Sequence, residues 1–484
     1  MTKELRRLSI IVLVMFLALF GSTSAIQVIQ ANQLADMPRN SRTLFDSYET
    51  QRGAIIAGDQ EIAVSAPSGD LYAWQRQYAD SPMWSGVTGY LNPVLQSATG
   101  IEQIMGQELS GTAGSAFFSR LDQIVTGQPP RGSSVVLSLD PAVQKAAFDA
   151  LGGLRGGVVA IEPDTGRILA MATTPGYDAN SLAQHDSEAT DAAYQSLLDD
   201  PLRPLNNRAL TGDNPPGSTF KLVVAAAALA SGDYDEDSQL PNPASYTLPQ
   251  STHPVRNANG GTCGGGKTVT IATMLRLSCN VPFAELAVEL GDQPIREMAE
   301  RFGFNHEFAT PLPAQMSSYP DALDDPQTGL TGFGQGQVTA TPLQIAMVSG
   351  AIANDGVVMN PQAVDEIVGA DLSVQQSFGP SEFGRAIESD LAQVMTDMMV
   401  ANVQDGVASG ARIDGVDVAG KTGTAEMGDD RPYTLWFTGF APADDPEVAV
   451  AVVVEDGGGQ GQSGSGNTIA APIAKKVMEA VLSR

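Results

Sequence analysis

Residues 215–230 read PPGSTFKLVVAAAALA, and the rest of the chain is organised around this stretch. Two prolines and a glycine end whatever precedes them, so an alanine- and leucine-rich helix is predicted to begin there, with Ser218 at or beside its N-cap. Helical spacing places Lys221 one turn further on, on the same face as Ser218. The pattern therefore brings one hydroxyl and one amine together at the start of an apolar helix.

This pairing predicts nucleophilic chemistry. A serine hydroxyl is a poor nucleophile until a base takes its proton. Lys221 can be that base if desolvation and a nearby positive charge keep its amine neutral, and the helix N-terminus favours negative charge at Ser218. The alternative is a serine N-cap followed by a solvated lysine, and a motif as short as Ser-x-x-Lys does not exclude it.

Two further motifs favour the catalytic interpretation. SCN at residues 278–280 follows an apolar run that could be a helix, and KTGT at residues 421–424 follows residues 415–420, which are predicted to form a strand. Ser278 can relay a proton between Lys221 and a leaving amine. Asn280 can donate its side-chain amide to a substrate carbonyl and help to orient Lys221.

The KTGT residues suit substrate binding. Lys421 supplies a fixed cation for a substrate carboxylate, with the hydroxyls of Thr422 and Thr424 as hydrogen-bond partners. Gly423 removes a side chain where an acyl substrate would lie against the strand. We expect the backbone N–H groups of Ser218 and Thr424 to form an oxyanion hole that stabilises a developing negative charge.

Composition narrows the class of protein. The length of 484 residues allows roughly two to three domains. The net charge is −28 although only 17 % of residues are charged. Such a surface would repel nucleic acid, so no nucleic-acid partner is expected. A solvated acidic surface that aids solubility is the better interpretation.

The N-terminus indicates a membrane segment. Residues 1–7 include three basic side chains and are predicted to be a cytoplasmic stub. The apolar residues 8–29 are long enough to span a membrane, and the positive flank places the body of the protein outside. A cleaved signal peptide with a site at residues 23–25 is the alternative. Because the apolar character continues past that site, an uncleaved signal anchor is favoured.

Two regions follow the anchor. Residues 30–133 are strand-rich and end at a boundary rich in glycine and proline, residues 127–132. Nothing in them is predicted to be catalytic, although Arg52 and Glu102 either pair at a domain junction or are ordinary surface charges. Residues 134–484 begin and end with strands and carry a helical segment between, which predicts an α+β fold. Its predicted elements are a strand at 134–139, a helix at 141–151, a hairpin at 157–172, strands at 436–440 and 448–454, and a helix at 469–482.

From about Arg52 onward the chain resembles the class B penicillin-binding proteins, which are monofunctional peptidoglycan D,D-transpeptidases. The resemblance rests on the three motifs in this order and on the stretches GIE at 100–102, LSG at 109–111 and GFGQG at 332–336. The short first region and the absence of C-terminal repeats are most similar to the actinobacterial penicillin-binding protein A subgroup.

The resemblance implies a fold and a reaction. Residues 134–484 would form a transpeptidase domain of the penicillin-binding and serine β-lactamase type, an antiparallel sheet flanked by helices plus a helical subdomain. Residues 30–133 would form a smaller pedestal or dimerisation-like domain. Ser218 would attack the penultimate D-Ala carbonyl of a stem pentapeptide, expel the terminal D-Ala, and pass the acyl group to an amine of a neighbouring stem. β-Lactams would acylate the same serine.

The resemblance also implies partners and a place. The substrates would be stem peptides of a lipid-linked precursor or of peptidoglycan, used in cell-wall synthesis and cell division. A membrane glycan polymerase of the division or elongation machinery would be the partner. No metal or cofactor is implied, and the isolated His185, His253 and His306 are predicted to be structural.

The two cysteines suggest a disulfide. Cys263 and Cys279 form an even count in a compartment predicted to be oxidising. A bridge would tie the loop at residues 260–266 to the active-site wall, and two free thiols are the alternative.

Several other functions share these motifs. A β-lactamase is normally a much shorter secreted chain, and a class A enzyme needs a glycosyltransferase domain for which residues 30–133 are too few. A β-lactam-sensing receptor usually needs a cytoplasmic output module, and a non-catalytic division scaffold would be expected to carry a damaged motif. A D,D-carboxypeptidase, which passes the acyl group to water, remains open.

Overall fold

A computed structural model describes most of the chain: residues 2–26, 30, 50–70, 72–92, 95–113, 131–212, 214–252, 254–308, 310, 312–428 and 430–484. Three predictions fall partly or wholly outside these residues. They are the end of the apolar segment at 27–29, the start of the boundary at 127–130, and His253.

The chain begins with an apolar helix, α1 (Thr2–Ser24). Within the described residues, Lys3–Ser24 is the one helical stretch long and apolar enough to cross a membrane. A signal sequence would satisfy the same criteria of length and composition. The structure is therefore consistent with both interpretations of this segment.

A six-stranded sheet joins the first region to later parts of the chain. The order is β15-β14-β6-β1-β2-β3, and every pair is antiparallel except β1 with β6. Its strands are β1 (Ile55–Ala57), β2 (Gln60–Pro67), β3 (Trp74–Tyr78), β6 (Ser134–Leu137), β14 (Val364–Val368) and β15 (Val374–Ser377). Three of these strands come after residue 133, so the sheet is assembled from distant segments.

A five-stranded antiparallel sheet organises the second region, in the order β17-β18-β19-β7-β8. Its strands are β7 (Gly156–Ile161), β8 (Ile168–Thr174), β17 (Ala419–Ala425), β18 (Thr434–Ala441) and β19 (Val448–Val454). In β19, Val448 and alternate residues pack on one face, whereas Ala449 and alternate residues pack on the other. The period of two buries both faces, because successive side chains of a strand point to opposite sides.

Helices cover both faces of this sheet. On one face lie α5 (Pro141–Leu151) and α14 (Ala471–Leu482), which also contact each other. On the other face lies α12 (Pro342–Ala353). The predicted start of α5 is confirmed, because the Asp140 side chain accepts hydrogen bonds from the N–H groups of Ala142 and Val143.

The predicted helical segment lies between the end of β8 at Thr174 and Val357. The remaining helices of the described chain are α2 (Ser81–Thr88), α3 (Gly100–Ile104), α4 (Gly106–Leu109), α6 (Ser187–Asp199), α7 (Lys221–Ala230), α8 (Ile271–Arg276), α9 (Asn280–Leu290), α10 (Asp292–Arg301), α11 (Asp325–Thr331) and α13 (Ser389–Asp405). The short strands are β4 (Leu91–Asn92), β5 (Ser97–Ala98), β9 (Gln239–Pro241), β10 (Ser245–Thr247), β11 (Pro254–Arg256), β12 (Thr268–Thr270), β13 (Val357–Met359) and β16 (Glu382–Arg385).

One strand begins later than predicted. Residues 415–418 are not part of a strand, since Gly415 has a φ of +77° and belongs to a turn closed by a bridge between Ile413 and Val416. Strand β17 starts at Ala419, so the KTGT motif is itself the strand. This places Lys421 in the middle of an ordered ladder against β18.

A buried ion triad fixes the first region. Of the two alternatives left open for Arg52 and Glu102, the ion pair is the one observed, with Nη2 2.8 Å from Oε2. Arg76, which was not predicted here, places its Nε 2.5 Å from the other carboxylate oxygen of Glu102. Burial opposes ionisation of Glu102, but the charges of Arg76 and Arg52 outweigh it and lower the pKa of this carboxyl. The triad is therefore ionic at neutral pH.

We expect Glu102→Gln to destabilise the fold by roughly 3–5 kcal/mol, because it leaves two buried guanidinium groups without a counter-charge. Since the pKa of Glu102 is lowered in the folded state, its contribution is present above its unfolded pKa and is lost as the pH falls through the folded pKa. Urea unfolding at several pH values measures this. The exposed Glu61→Gln is the control, and an equal effect of both substitutions would contradict the account.

Candidate active site

The serine motif forms a tight turn at the start of α7. Residues 217–220 are a 3₁₀ turn that runs directly into the α-helix, and Ser218 is its second residue. The N-cap position belongs to Pro216, so Ser218 lies inside the first turn and is not the cap. Ser218 was predicted at or beside the cap and lies one residue beyond that position, because the helix starts with a 3₁₀ segment.

The turn is held in place by a close backbone approach. Gly217 has a φ of +54°, and its N–H donates to the carbonyl oxygen of Gly334 at 3.0 Å. A Cβ at Gly334 would lie 1.9 Å from the Gly217 oxygen, so no other residue fits there. This contact explains why the GFGQG stretch is needed beside the serine.

Lys221 lies at the centre of the site. Its side chain is fully buried, and Nζ is 2.9 Å from Ser218 Oγ, 2.8 Å from Asn280 Oδ1 and 2.8 Å from the Ser278 carbonyl oxygen. An ammonium could donate to all three oxygens. A neutral amine has two N–H groups for the Asn280 and Ser278 oxygens, which leaves its lone pair facing the hydroxyl of Ser218. The geometry is therefore that of a base poised on a nucleophile.

A second buried lysine approaches from the sheet. Lys421 Nζ lies 2.6 Å from Ser278 Oγ and 3.0 Å from the carbonyl oxygen of Thr422. Lys221 Nζ is 3.5 Å from the same Ser278 hydroxyl, which therefore stands between the two amines. Ser278 has a φ of +55°, a left-handed conformation that is uncommon outside glycine and is associated with functional sites.

The pKa values of both buried lysines are lowered. Burial, and then the charge of Lys421, hold the pKa of Lys221 well below its usual range. Burial lowers the pKa of Lys421 to about 7. Lys221, whose pKa is lowered by burial and by the charge of Lys421, is thus kept neutral, as a base for Ser218 must be.

Asn257 positions the SCN motif, and the sequence analysis missed it. Its Oδ1 accepts hydrogen bonds from the N–H groups of Asn280 at 2.8 Å and Val281 at 2.9 Å, at the start of α9. Asn257 lies more than twenty residues before Asn280 and belongs to no motif. Its contact with the SCN motif could therefore not be predicted from the sequence.

The two cysteines form a disulfide in this structure, with a Cα–Cα distance of 5.7 Å. Asn242 holds the Cys263 side of this bridge through its Oδ1, which accepts from the Cys263 N–H at 2.7 Å. The bridge connects the loop before β12 to the residue between Ser278 and Asn280. The SCN motif is thus anchored on both sides.

The strand beside the serine has a tightly packed face. A Cβ at Gly423 would lie 2.9 Å from the Pro216 oxygen and 2.9 Å from Trp436 Cβ. The sequence analysis assigned this space to a substrate, whereas the geometry assigns it to the serine turn. Trp436, which was not predicted, donates from Nε1 to the Pro215 oxygen at 3.0 Å. Glycine is needed here so that β17 can approach Ser218.

The structure brings the predicted residues together at one place. Ser218, Lys221, Ser278, Asn280 and Lys421 are linked by the hydrogen bonds given above. The hydroxyl of Thr422 donates to the Val407 oxygen at 3.4 Å, and Thr424 stands half-buried further along β17.

No metal centre is evident in the described part of the chain, where no three histidine, cysteine, aspartate or glutamate residues cluster. His185 pairs with Asp70 through Nδ1, and the ring of His306 packs against Phe308 and Phe383. These contacts give both histidines structural surroundings.

Comparison with known proteins identifies the relatives. The family described as the penicillin binding protein transpeptidase domain matches residues 156–479, and the penicillin binding protein A dimerisation domain matches residues 52–135. The chain is 40 % identical to the peptidoglycan D,D-transpeptidase PbpA of Mycolicibacterium smegmatis over 100 % of its own length and 99 % of that protein. It is 30 % identical to the peptidoglycan D,D-transpeptidase MrdA of Acinetobacter baumannii over 84 % of its length and 65 % of that protein.

Solved structures agree with this fold. The ceftriaxone acyl-enzyme complex of penicillin-binding protein A from Mycobacterium tuberculosis superposes with a TM-score of 0.87 at 38 % identity, covering 90 % of this chain and 100 % of that one. The penicillin G acyl-enzyme complex of the same protein gives a TM-score of 0.85 at 38 % identity with the same coverage.

We expect alkylation without reductant to leave the intact mass of the unfolded protein unchanged, and two labels to be added after reduction. Because the bridge spans 16 residues, its reduction is expected to lower the free energy of unfolding by about 3 kcal/mol. Urea unfolding with and without reductant measures this, and the double variant Cys263→Ala/Cys279→Ala is the control that should not respond to reductant. Two labels on the unreduced protein would contradict the bridge.

Proposed function

The chain belongs to the penicillin-binding protein transpeptidase family, and on that premise we propose that it is a peptidoglycan D,D-transpeptidase that works through an acyl-enzyme on Ser218. One observation carries the proposal: the amine of Lys221 lies 2.9 Å from the hydroxyl of Ser218, and burial together with the charge of Lys421 lowers its pKa. An amine so placed can take the proton that a serine must lose to attack a carbonyl.

Acylation uses this pair first. Lys221 takes the Ser218 proton while Oγ attacks the penultimate D-Ala carbonyl of the donor peptide. The resulting oxyanion is stabilised by the N–H groups of Ser218 and Thr424. When the tetrahedral intermediate collapses, the peptide C–N bond breaks, and the leaving D-Ala amine receives the proton from Lys221 through the Ser278 hydroxyl. This hydroxyl contacts the amines of both Lys221 and Lys421.

Transfer runs the same steps in reverse. The amine of a neighbouring stem attacks the ester carbonyl and gives its proton through Ser278 or Lys221 to the departing Ser218 oxygen. A new peptide bond forms and the serine is restored. Asn280, whose side-chain oxygen is occupied by Lys221, presents its amide nitrogen to the acyl group.

The second lysine binds the end of the donor. Lys421 is suited to the terminal carboxylate, because a carboxylate in the cleft would raise the pKa of this amine and keep it protonated. Its charge in turn keeps Lys221 neutral. Lys421 therefore acts as the fixed cation and Lys221 as the base.

The proposal also covers the membrane topology, the roles of the domains and the protein partner. Helix α1 is a signal anchor, with residues 1–7 in the cytoplasm and the body outside, on one pass through the membrane. The disulfide supports an oxidising compartment. Residues 30–133 act as a pedestal for the transpeptidase domain at 134–484, and a membrane glycan polymerase supplies the strands that are cross-linked.

Benzylpenicillin tests the nucleophile. We expect the full chain in detergent to gain one stable adduct in its intact mass, and Ser218→Ala to gain none. Ser231→Ala, an exposed serine at the other end of α7, is the matched control and should be acylated like the parent.

Three results would change the assignment. Consumption of the drug without an adduct would indicate a β-lactamase. Neither an adduct nor consumption would indicate a non-catalytic scaffold. With a D-Ala-D-Ala donor and an added amine, release of D-Ala without a cross-linked product would indicate a D,D-carboxypeptidase.

The pH dependence of acylation tests the role of Lys421. Because this amine is charged only below its pKa of about 7, we expect the second-order rate constant for benzylpenicillin acylation to fall as the pH rises above that value. In Lys421→Arg the guanidinium stays charged, so the alkaline fall should disappear. Quenched-flow mixing followed by mass spectrometry gives the rate constants. If the acylation rate constant of the variant still falls at alkaline pH as in the parent, this role of Lys421 is refuted.

A further inference from the structure

A large cavity lies at the end of the five-stranded sheet, beyond the active-site strand. Its volume is about 710 Å³. It is lined by Thr434 at the start of β18, by Glu455 just after β19 and by Arg155 just before β7. The lining also includes Asn214, four residues before the catalytic serine. The cavity therefore adjoins both the serine turn and the end of β17.

The acidic groups of the cavity are already paired. Glu455 Oε2 lies 2.6 Å from Arg155 Nε and 3.2 Å from Arg208 Nε. Asp456 Oδ2 lies 3.0 Å from Arg155 Nη1. Two arginines thus balance the two carboxylates, and these four side chains together carry no net charge.

Two further arginines line the cavity, Arg203 and Arg431. Both are exposed, and neither forms an ion pair with any residue in the described part of the chain. Arg203 and Arg431 are therefore the two arginines of the cavity whose charge no acidic side chain of the described residues balances. In a protein whose net charge is −28, such a patch provides a local attraction for an anion that the rest of the surface would repel.

The turn that carries Arg203 is built rigidly. The buried Arg208 donates from Nη2 to the Leu202 oxygen at 2.6 Å and from Nη1 to the Arg203 oxygen at 3.3 Å. Arg203 itself has a φ of +50°, a costly conformation for a side chain of this size. Arg208, which also pairs with Glu455, thus holds the backbone of Arg203 at the wall of the cavity.

The direction of the substrate leads into this cavity. The proposed roles put the donor's terminal carboxylate at Lys421 and its reacting carbonyl at Thr424, three residues further along β17. A peptide extended beside the strand then continues past Ala425, where β17 ends, at about 3.3 Å per residue. The part of the donor upstream of the scissile bond therefore reaches the side of the sheet where the cavity opens.

We propose that this cavity is a subsite for a carboxylate that the donor peptide carries upstream of the scissile bond, and that Arg203 and Arg431 bind it. This proposal rests on the transpeptidase function proposed above. It makes the two arginines specificity-determining residues that select donors by charge, at a distance from the reacting atoms.

The test uses two thioester donors whose leaving thiol reports each turnover. They differ only in one group two residues before the scissile bond, which is a carboxylate in one and a carboxamide in the other. The measured quantity is the ratio of their kcat/KM values for the full chain in detergent. We expect the parent to favour the carboxylate by about tenfold or more, the effect of hydrogen bonds to a charged group, and Arg203→Gln/Arg431→Gln to lose this preference.

Controls separate this proposal from the proposed function. The benzylpenicillin adduct of each variant shows that its Ser218 site is assembled, and Arg301→Gln, an exposed arginine outside the cavity, should keep the parent ratio. A parent that does not discriminate, or a double variant that keeps the preference, would overturn the subsite while leaving the transpeptidase intact. A parent that gives no adduct and turns over neither donor would overturn the proposed function, and the subsite with it.

Discussion

Two lysine amines without access to water meet at the hydroxyl of Ser278, and the site depends on this arrangement. Burying one unpaired ammonium is unfavourable, and burying two beside each other is more so. The structure relieves this cost by leaving Lys221 neutral, and neutrality is what makes it a base for Ser218. The buried charges of the first region are arranged differently. In the triad around Glu102 each charge has a partner, so stability is gained there and reactivity is not. The contrast identifies the lysine pair as a functional feature.

Three separate segments must converge to hold the lysines. The serine turn is pinned by the contact between Gly217 and Gly334, the SCN motif by Asn257 and the disulfide, and Lys421 by its place in an antiparallel ladder. These supports keep both amines buried at the Ser278 hydroxyl. In the neighbouring cavity two arginines pair with Glu455, whereas Arg203 and Arg431 form no ion pair with any described residue. The end of the five-stranded sheet thus carries both the catalytic serine turn and the cavity proposed to select the donor peptide.

The sequence predicted the chemistry better than the surroundings. Ser-x-x-Lys, Ser-x-Asn and Lys-Thr-Gly are short, but their order and their helix and strand contexts were enough to predict the site, and the apolar residues 448–454 were correctly predicted to be a strand. Contacts between distant segments could not be read in this way. Asn257 and Arg76 belong to no local pattern, since their partners are set by the tertiary fold. The beginning of β17 was misplaced because residues 415–418 are apolar enough to resemble a strand, whereas Gly415 turns the chain.

The protonation state of Lys221 is the central claim, and it can be measured directly. Nitrogen NMR of protein labelled with ¹⁵N at its lysine side chains follows each Nζ through a pH titration, with Lys→Arg variants for assignment. The account predicts that two of the seven lysines titrate far below the ordinary value of about 10.4. Lys421 should titrate near 7, in keeping with its pKa of about 7, and Lys221 should also be neutral at physiological pH. Titration of all seven at the ordinary value would contradict the account, because Lys221 would then be an ammonium that cannot accept the proton of Ser218.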